Sequence, residues 1–322
     1  MERPSEQTIL VTGATGNVGR YVVKFLLQEF GMQVRATGMD LERARREFEK
    51  DELGLGLEEL KRLSLVKFDY LDPSTYRETF CGITSFFLIR PPHLGDAKKQ
   101  IIPAVAAALD AGVKYVVFLS VQGAANNPSV PHYDVEQFLV QQADRGRCKW
   151  TMLRASFFMQ NLSTTHANDI AELDSIIVPA GSGRTAFVDC RDVAYMAAVC
   201  LSEGPEKHGG QGYTPTSEDS FTYDDVATVI SDAIGRKITY TNPFVVSYCW
   251  HMSQRRGMPL GMVAVTTVIY SIARFGYAGD LTDDFQRVTG KKPLTLKQFA
   301  LDHAKCWEKR SWSGDAYKYV PS

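Results

Sequence analysis

A chain of 322 residues, 44% hydrophobic and 23% charged, can bury one large core or two intimate ones. Its 36 basic and 37 acidic residues leave a net charge of -1, which gives no electrostatic reason to expect nucleic acid or an anionic membrane as partner. The six cysteines form no C-x-x-C pair and the six histidines are dispersed, so reduced thiols in a cytoplasmic protein are expected, with neither disulfide framework nor metal site.

The polar opening Met1–Gln7 does not read as a signal or transit peptide. Ile9–Val11 is an apolar strand leading into Thr12-Gly13-Ala14-Thr15-Gly16-Asn17-Val18-Gly19-Arg20, and a helix follows from Tyr21. Gly31 ends that helix, and Gln33–Thr37 reads as a second strand. Leu41, Ala44, Arg45 and Phe48 fall at helical spacing within a charged run. Further strands are expected over Ser64–Asp69, Ser85–Ile89, Lys114–Ser120 and Lys149–Leu153. Helices are expected from Asp72-Pro73, over Ile101–Ala111 and over His132–Asp144. This alternation predicts an α/β fold with a doubly wound parallel sheet.

The second half has a different texture. A helix is expected over Arg191–Leu201 and a polar loop over Gly204–Gly212. Capping devices stand at Thr222-x-x-Asp225 and Thr295-x-x-Gln298. The apolar window Pro259–Ala278 is interrupted by Arg274 and glycines, so it reads as core or pocket lining, not a membrane span. The expected division is a dinucleotide-binding domain over residues 1–160. A smaller lobe over 161–322 follows, partly returning to the sheet, with a substrate cleft over the carboxyl edge.

The strand–turn–helix at Gly13–Gly19 carries the main functional signal. Gly13 permits the tight turn, Gly16 lets backbone approach a pyrophosphate, and Gly19 lets helix pack close to strand. The N–H groups of Thr15, Asn17 and Val18 then lie at a helix start that favours an anion. The spacing is G-x-x-G-x-x-G, which differs from the commonest dinucleotide fingerprint.

T-G-A-T-G-N-V-G-R resembles the extended and atypical short-chain dehydrogenase/reductases, and within them the NmrA-like group. Phe118-Leu119-Ser120, Val130-Pro131-His132-Tyr133, the block Thr151–Leu162 and Phe187–Ala194 strengthen the resemblance, which covers nearly the whole chain. It implies a Rossmann-like fold and an NAD(P) cofactor. In such enzymes a basic residue near the end of the second strand accepts the 2′-phosphate of NADP. Met39 stands about there, so Arg35 and Arg43 are the candidates, with Asp40 opposing. The resemblance also places Asp69 by the adenine and Phe157 by the nicotinamide. The rule that ligands sit beyond the carboxyl ends of strands places Arg90 and Pro91 near the nicotinamide ribose.

The resemblance implies a serine after the fifth strand and a tyrosine–lysine pair on the next helix. Ser120 and Tyr133 match, but Gln137 stands where the lysine is expected, and Asp134 at the other position where the group carries one. An amide cannot supply the positive charge that depresses a phenol pKa. Tyr133, His132 and Ser120 are therefore the catalytic candidates. Phe187, Tyr248, Trp250, Met252, Met258 and Met262 suggest a roomy apolar pocket, with His251 a further candidate.

The expected protein is an NAD(P)H-dependent oxidoreductase, monomer or homodimer, with NADP as cofactor and NAD as the alternative. Its substrate is expected to be a small to medium apolar or aromatic carbonyl, quinone or enone. The missing lysines keep open a non-catalytic, dinucleotide-binding redox sensor and a non-redox isomerase or dehydratase.

Overall fold

Twelve strands run through residues 7–309, the part of the chain that the computed structural model describes. They are β1 (Thr8–Val11), β2 (Gln33–Gly38), β3 (Leu63–Lys67), β4 (Ile83–Ile89), β5 (Tyr115–Val121), β6 (Lys149–Ala155), β7 (Phe157–Phe158), β8 (Ser175–Ile177), β9 (Thr185–Val188), β10 (Gln211–Tyr213), β11 (Ser220–Phe221) and β12 (Thr239–Thr241). The chain divides into two units. Unit 1 runs to Ala155 and takes back Cys190–Pro215 and Asp284–Lys291. Unit 2 holds Ser156–Asp189, Thr216–Asp283 and the residues from Lys292 onward. The opening residues 1–6, read above as carrying no leader, lie outside the described part.

Unit 1 is built on a seven-stranded sheet in the order β10-β6-β5-β4-β1-β2-β3, with every pairing parallel. Parallel strands need crossovers that cover both faces, so the central ones must be apolar throughout. In β1, Ile9, Leu10 and Val11 are fully buried, as are Val116, Val117 and Phe118 in β5. The order reverses between β1 and β4: from β1 the chain winds outward through β2 to β3, then returns to β4 on the other side. That reversal is the doubly wound topology, and its carboxyl edge is where such sheets bind ligands.

The stretch expected as a polar loop over Gly204–Gly212 instead forms a short helix, Pro205–His208, and the edge strand β10. Lone glycine–polar patterning hides an edge strand because only one of its sides pairs. Gly212 has a local reason to lack a side chain: an added Cβ would lie 2.4 Å from Arg154 Nη1.

Unit 2 has a three-stranded sheet, β11-β9-β7, and the pair β12-β8. Its core gathers Ile170, Tyr223, Val226, Ile230, Tyr248, Met252, Phe299 and Trp307. Both expected caps form. Thr222 accepts from Asp225 N–H while Asp225 accepts from Thr222 N–H, and Thr295 accepts from Gln298 N–H. Phe187, Tyr248, Met252 and Met258, grouped above as pocket wall, are 0–3% exposed and belong to this core, whereas Trp250 is exposed. Burying large aromatics stabilises so small a unit more than a loosely packed wall would. The apolar window forms the helix Leu260–Arg274, and among the described residues no helix is long and apolar enough to cross a membrane. All six cysteines are free thiols, and no group of three or more potential metal ligands exists among the described residues.

Candidate functional site

The turn after β1 has backbone constraints that only glycine meets. Gly13 has φ +58°, in the left-handed region. At Gly19 an added Cβ would stand 2.1 Å from the Gly13 carbonyl oxygen and 2.9 Å from Ala14 Cα, closer than atoms can approach. Gly19 is therefore what lets the helix Gly19–Gln28 start directly against the strand end. Gly16 N–H donates to the Gly13 carbonyl at 3.0 Å and closes the turn.

The helix start is open. Val18 provides no side-chain cap, and the first turn holds no acidic residue. The Arg20, Tyr21 and Val22 N–H groups donate to the Gly16 and Val18 carbonyls, so it is the uncompensated dipole of a ten-residue helix that suits an anion. Gly13, Thr15 and Gly16 are exposed on the outer rim, Asn17 is half-buried, and Val18 and Gly19 anchor the turn inside. Asn17 Oδ1 accepts from Arg20 Nη2 at 3.0 Å, and Arg20 pairs with Glu47 at 3.3 Å, which fixes the far side of the turn.

Thr12 sets the opening between β1 and β4. Its Oγ1 donates to the Phe87 carbonyl and accepts from Ile89 N–H, both at 3.0 Å. The Tyr70 hydroxyl adds a bond to the Ile89 carbonyl at 2.7 Å. The residues after β4 are thereby held beside the glycine turn, with Ile89 packed 3.3 Å from where a Gly13 Cβ would be. Neither Thr12 nor Tyr70 stood out in the sequence, because their role depends on two strands 75 or more residues apart meeting.

Arg90 follows directly. Its Nη1 donates to the carbonyls of Pro91 (2.9 Å), Pro92 (3.3 Å) and Leu94 (2.8 Å), so it holds the loop of which Pro91 is part. Its Nε is buried and has no hydrogen-bond partner among the described residues. Burial lowers the guanidinium pKa.

The catalytic candidates have distinct surroundings. The helix Pro131–Asp144 opens with Pro131 and carries His132 and Tyr133 in its first turn. Desolvation, with the nearby Arg90 guanidinium adding to it, pushes the His132 pKa down to about 3. His132 is thus neutral near pH 7 and holds no imidazolium proton to give. Tyr133 is half-buried. Ser120 is 1% exposed and its hydroxyl donates to Glu136 Oε1 at 2.6 Å. Glu136, 2% exposed on the same helix, also takes Arg154 Nε at 3.1 Å and Arg154 Nη2 at 2.8 Å. This buried forked pair ties the helix to β5 and β6. The sequence analysis passed over Glu136, which is one charge among several on an amphipathic helix.

The cofactor candidates divide in the same way. Arg35, read as a 2′-phosphate ligand, is committed elsewhere: its Nη1 donates to the carbonyls of Glu78 (3.2 Å), Thr79 (3.1 Å) and Cys81 (2.7 Å). It caps the C-terminus of the helix Tyr76–Phe80, which answers the exposed carbonyls there. Asp40 is occupied as N-cap of the helix Leu41–Phe48, its Oδ1 accepting from Arg43 N–H at 3.0 Å. The Arg43 side chain is exposed. Asp69 folds its carboxylate onto Leu71 N–H at 2.8 Å, a local turn. Phe157 lies in unit 2, edge-on to Phe187 with centroids 6.5 Å apart.

The chain is 29% identical over 299 residues to an NAD(P)H azoreductase from Xenophilus azovorans, an alignment that covers 92% of this chain and 98% of the relative. The NADPH complex of an NADPH-dependent quinone oxidoreductase from Escherichia coli matches with a TM-score of 0.76 at 23% identity, over 91% of this chain and 98% of that one. NmrA, a negative transcriptional regulator in complex with NADP, matches with a TM-score of 0.70 at 17% identity, over 92% of this chain and 95% of that one. The model of the NmrA-like family matches residues 5–250, and the chain belongs to that family.

Proposed function

We propose that the protein is an NADPH-preferring oxidoreductase that reduces a small to medium apolar or aromatic carbonyl, quinone or enone. The observation that carries this reading is the uncapped helix start behind Gly13–Gly19, placed at the reversal of the sheet. Its uncompensated dipole and the absence of any Cβ at the exposed Gly16 suit a pyrophosphate, so Gly13, Thr15, Gly16, Asn17 and Val18 would hold the dinucleotide. Arg90 and Pro91 would border its ribose. Arg43, an exposed arginine in the first turn of the helix after β2, would meet a 2′-phosphate. A bound reduced dinucleotide supplies hydride. The azoreductase relative, similar along nearly its whole length, supports a redox activity for the chain.

Tyr133 then supplies the proton to the reduced substrate oxygen. It sits at the start of a helix clamped by Glu136 to two strands, which holds it in place. Neutral His132 packs beside Phe118, centroids 5.9 Å apart, and shapes the position of its neighbour. With Gln137 and Asp134 at the positions expected for lysine, the role proposed for Tyr133 is that of proton donor alone.

A second reading, a dinucleotide-binding regulator without turnover, is favoured by those same two substitutions and by the likeness to NmrA. The deciding experiment titrates purified protein with NADPH and NADH by calorimetry, then follows loss of reduced nicotinamide with a quinone and carbonyl panel. Binding with turnover is expected. Binding without turnover selects the regulator, and absence of dinucleotide binding overturns both.

A further inference from the structure

One cation at the carboxyl edge of unit 1 has no counter-charge. Beside the first two turns of the helix Pro131–Asp144, Arg154 is forked onto Glu136, and Lys98 pairs with Asp134 at 3.3 Å. Arg90 pairs with no carboxylate among the described residues, although it is half-buried and burial lowers its pKa. A desolvated charge is ordinarily paired, because nothing else offsets its cost.

The place of Arg90 is fixed from both sides. β4 lies between β1 and β5, and Arg90 follows its last residue. On the β1 side Ile89 packs against the glycine turn, 3.3 Å from where a Gly13 Cβ would be. On the β5 side the guanidinium is close enough to His132 to add to the depression of that ring's pKa. Tyr133 is the next residue. The guanidinium therefore lies over the end of β4, between the glycine turn and the start of the helix that carries Tyr133.

Its donors are divided. Nη1 is spent on the carbonyls of Pro91, Pro92 and Leu94, which anchor the fork to a loop stiffened by two prolines. Nε is buried and has no partner. Nη2 has no hydrogen-bond partner among the described residues and is not buried, so it is the edge open to a ligand. A guanidinium with one edge anchored and another open is a preorganised donor for an oxygen that gains negative charge.

We propose that Arg90 is a catalytic residue of the reduction, its Nη2 donating to the substrate oxygen on which negative charge develops. This rests on the reductase reading. A C–H bond forms at the substrate carbonyl carbon with the electron pair of the transferred hydride, and the C=O π pair moves onto oxygen. Arg90 holds that oxygen while it is anionic, the Tyr133 hydroxyl gives it a proton, and the tyrosine regains one from water. The positive charge that a lysine on the helix would bring comes instead from the end of β4, which is why Gln137 and Asp134 are tolerated.

The test uses 4-nitrophenol, whose ionised form stands in for the anionic oxygen and is read by its absorbance, on the full chain with saturating oxidised NADP. In the wild type the bound probe should be shifted about 10-fold toward its ionised form relative to the free probe. Arg90→Gln should abolish that shift, and Arg90→Lys, which keeps the charge, should retain most of it. Quinone turnover should fall about 100-fold in Arg90→Gln, in kcat more than in KM. NADPH affinity, read by calorimetry, should change by less than about 3-fold in either variant. A probe that stays unbound, or that ionises in the wild-type complex as it does in water, overturns the proposal without any variant. So does a shift that survives Arg90→Gln. A fall in NADPH affinity that matches the fall in turnover puts the guanidinium on a dinucleotide phosphate and overturns it too. Absence of dinucleotide binding defeats the reductase reading; turnover with an unshifted probe defeats the role of Arg90 alone.

Discussion

The glycine turn of unit 1 and the core of unit 2 handle polarity in different ways, although unit 1 also buries the Glu136 carboxylate against Arg154. Unit 1 builds its site from backbone: N–H groups at a helix start, glycines without side chains, and carbonyls that Arg90 and Arg35 collect. Unit 2 buries side-chain charge, drawing Asp169, His251 and Arg256 together from segments 82 and 87 residues apart. The contrast teaches where tolerance lies. A backbone site fails when a Cβ intrudes and barely notices side-chain chemistry. A side-chain network fails when one partner loses its charge, and it responds to pH.

The largest expected effect sharpens the backbone half of the contrast. Gly19→Ala should lower dinucleotide affinity by about 100-fold or more, because the methyl would have to displace the Gly13 carbonyl and the turn with it. Thr15→Ala, on the exposed rim, should change affinity by less than about 3-fold. Calorimetric titration of both variants checks this, and similar losses in the two would mean that side chains, not backbone, make the contacts.

The next effect concerns turnover. Tyr133→Phe should reduce the rate of quinone reduction by about 100-fold with dinucleotide affinity preserved, as loss of a proton donor does. His132→Ala should stay within about 5-fold, because a ring with a pKa near 3 is already neutral. Steady-state rates of the two variants side by side decide between them; a larger loss at His132 would reverse the assignment.

Acid should act on both units, because His132 in unit 1 is also held neutral, its pKa pushed down to about 3. The folded-state pKa of His166 is about 4, below its ordinary 6.5, so as pH falls from 6.5 the unfolded chain binds a proton that the folded chain refuses. The stability that neutral His166 contributes is present above about 6.5 and is lost progressively toward 4. Asp169, depressed below the ordinary carboxylate value, adds to the same acid loss at lower pH. His166→Phe should flatten the fall in urea midpoint between pH 7 and pH 5. An unchanged slope would mean that unit 2 does not sense acid through this core.

The smallest effect is at Arg43. Being exposed, it should contribute about 5-fold to the preference for NADPH over NADH, and less as salt rises. Arg35→Ala should leave that preference alone and lower the melting temperature instead, since its bonds are to the Glu78, Thr79 and Cys81 carbonyls. A cofactor switch in Arg35→Ala would reverse the two roles.

The sequence by itself determined what depends on neighbours along the chain. Apolar runs such as Ile9–Val11 and Val116–Phe118 could be read as buried parallel strands because both sides of each strand are covered, so no alternation is needed. The glycine spacing in Gly13–Gly19 and the caps at Thr222 and Thr295 were legible because a turn or a cap is satisfied within a few residues. Tertiary structure alone decided the tasks of charged and hydroxyl side chains. Whether Arg35 meets a phosphate or a helix end, whether Ser120 faces a substrate or Glu136, and whether His251 stands alone or beside Asp169 depends on which distant atom lies within about 3 Å. Hydrogen bonds and ion pairs are short-ranged and directional, and a one-dimensional pattern carries no record of who arrives from 80 residues away. Hydrophobic burial and backbone geometry are properties each segment carries with it, which is why they could be read first.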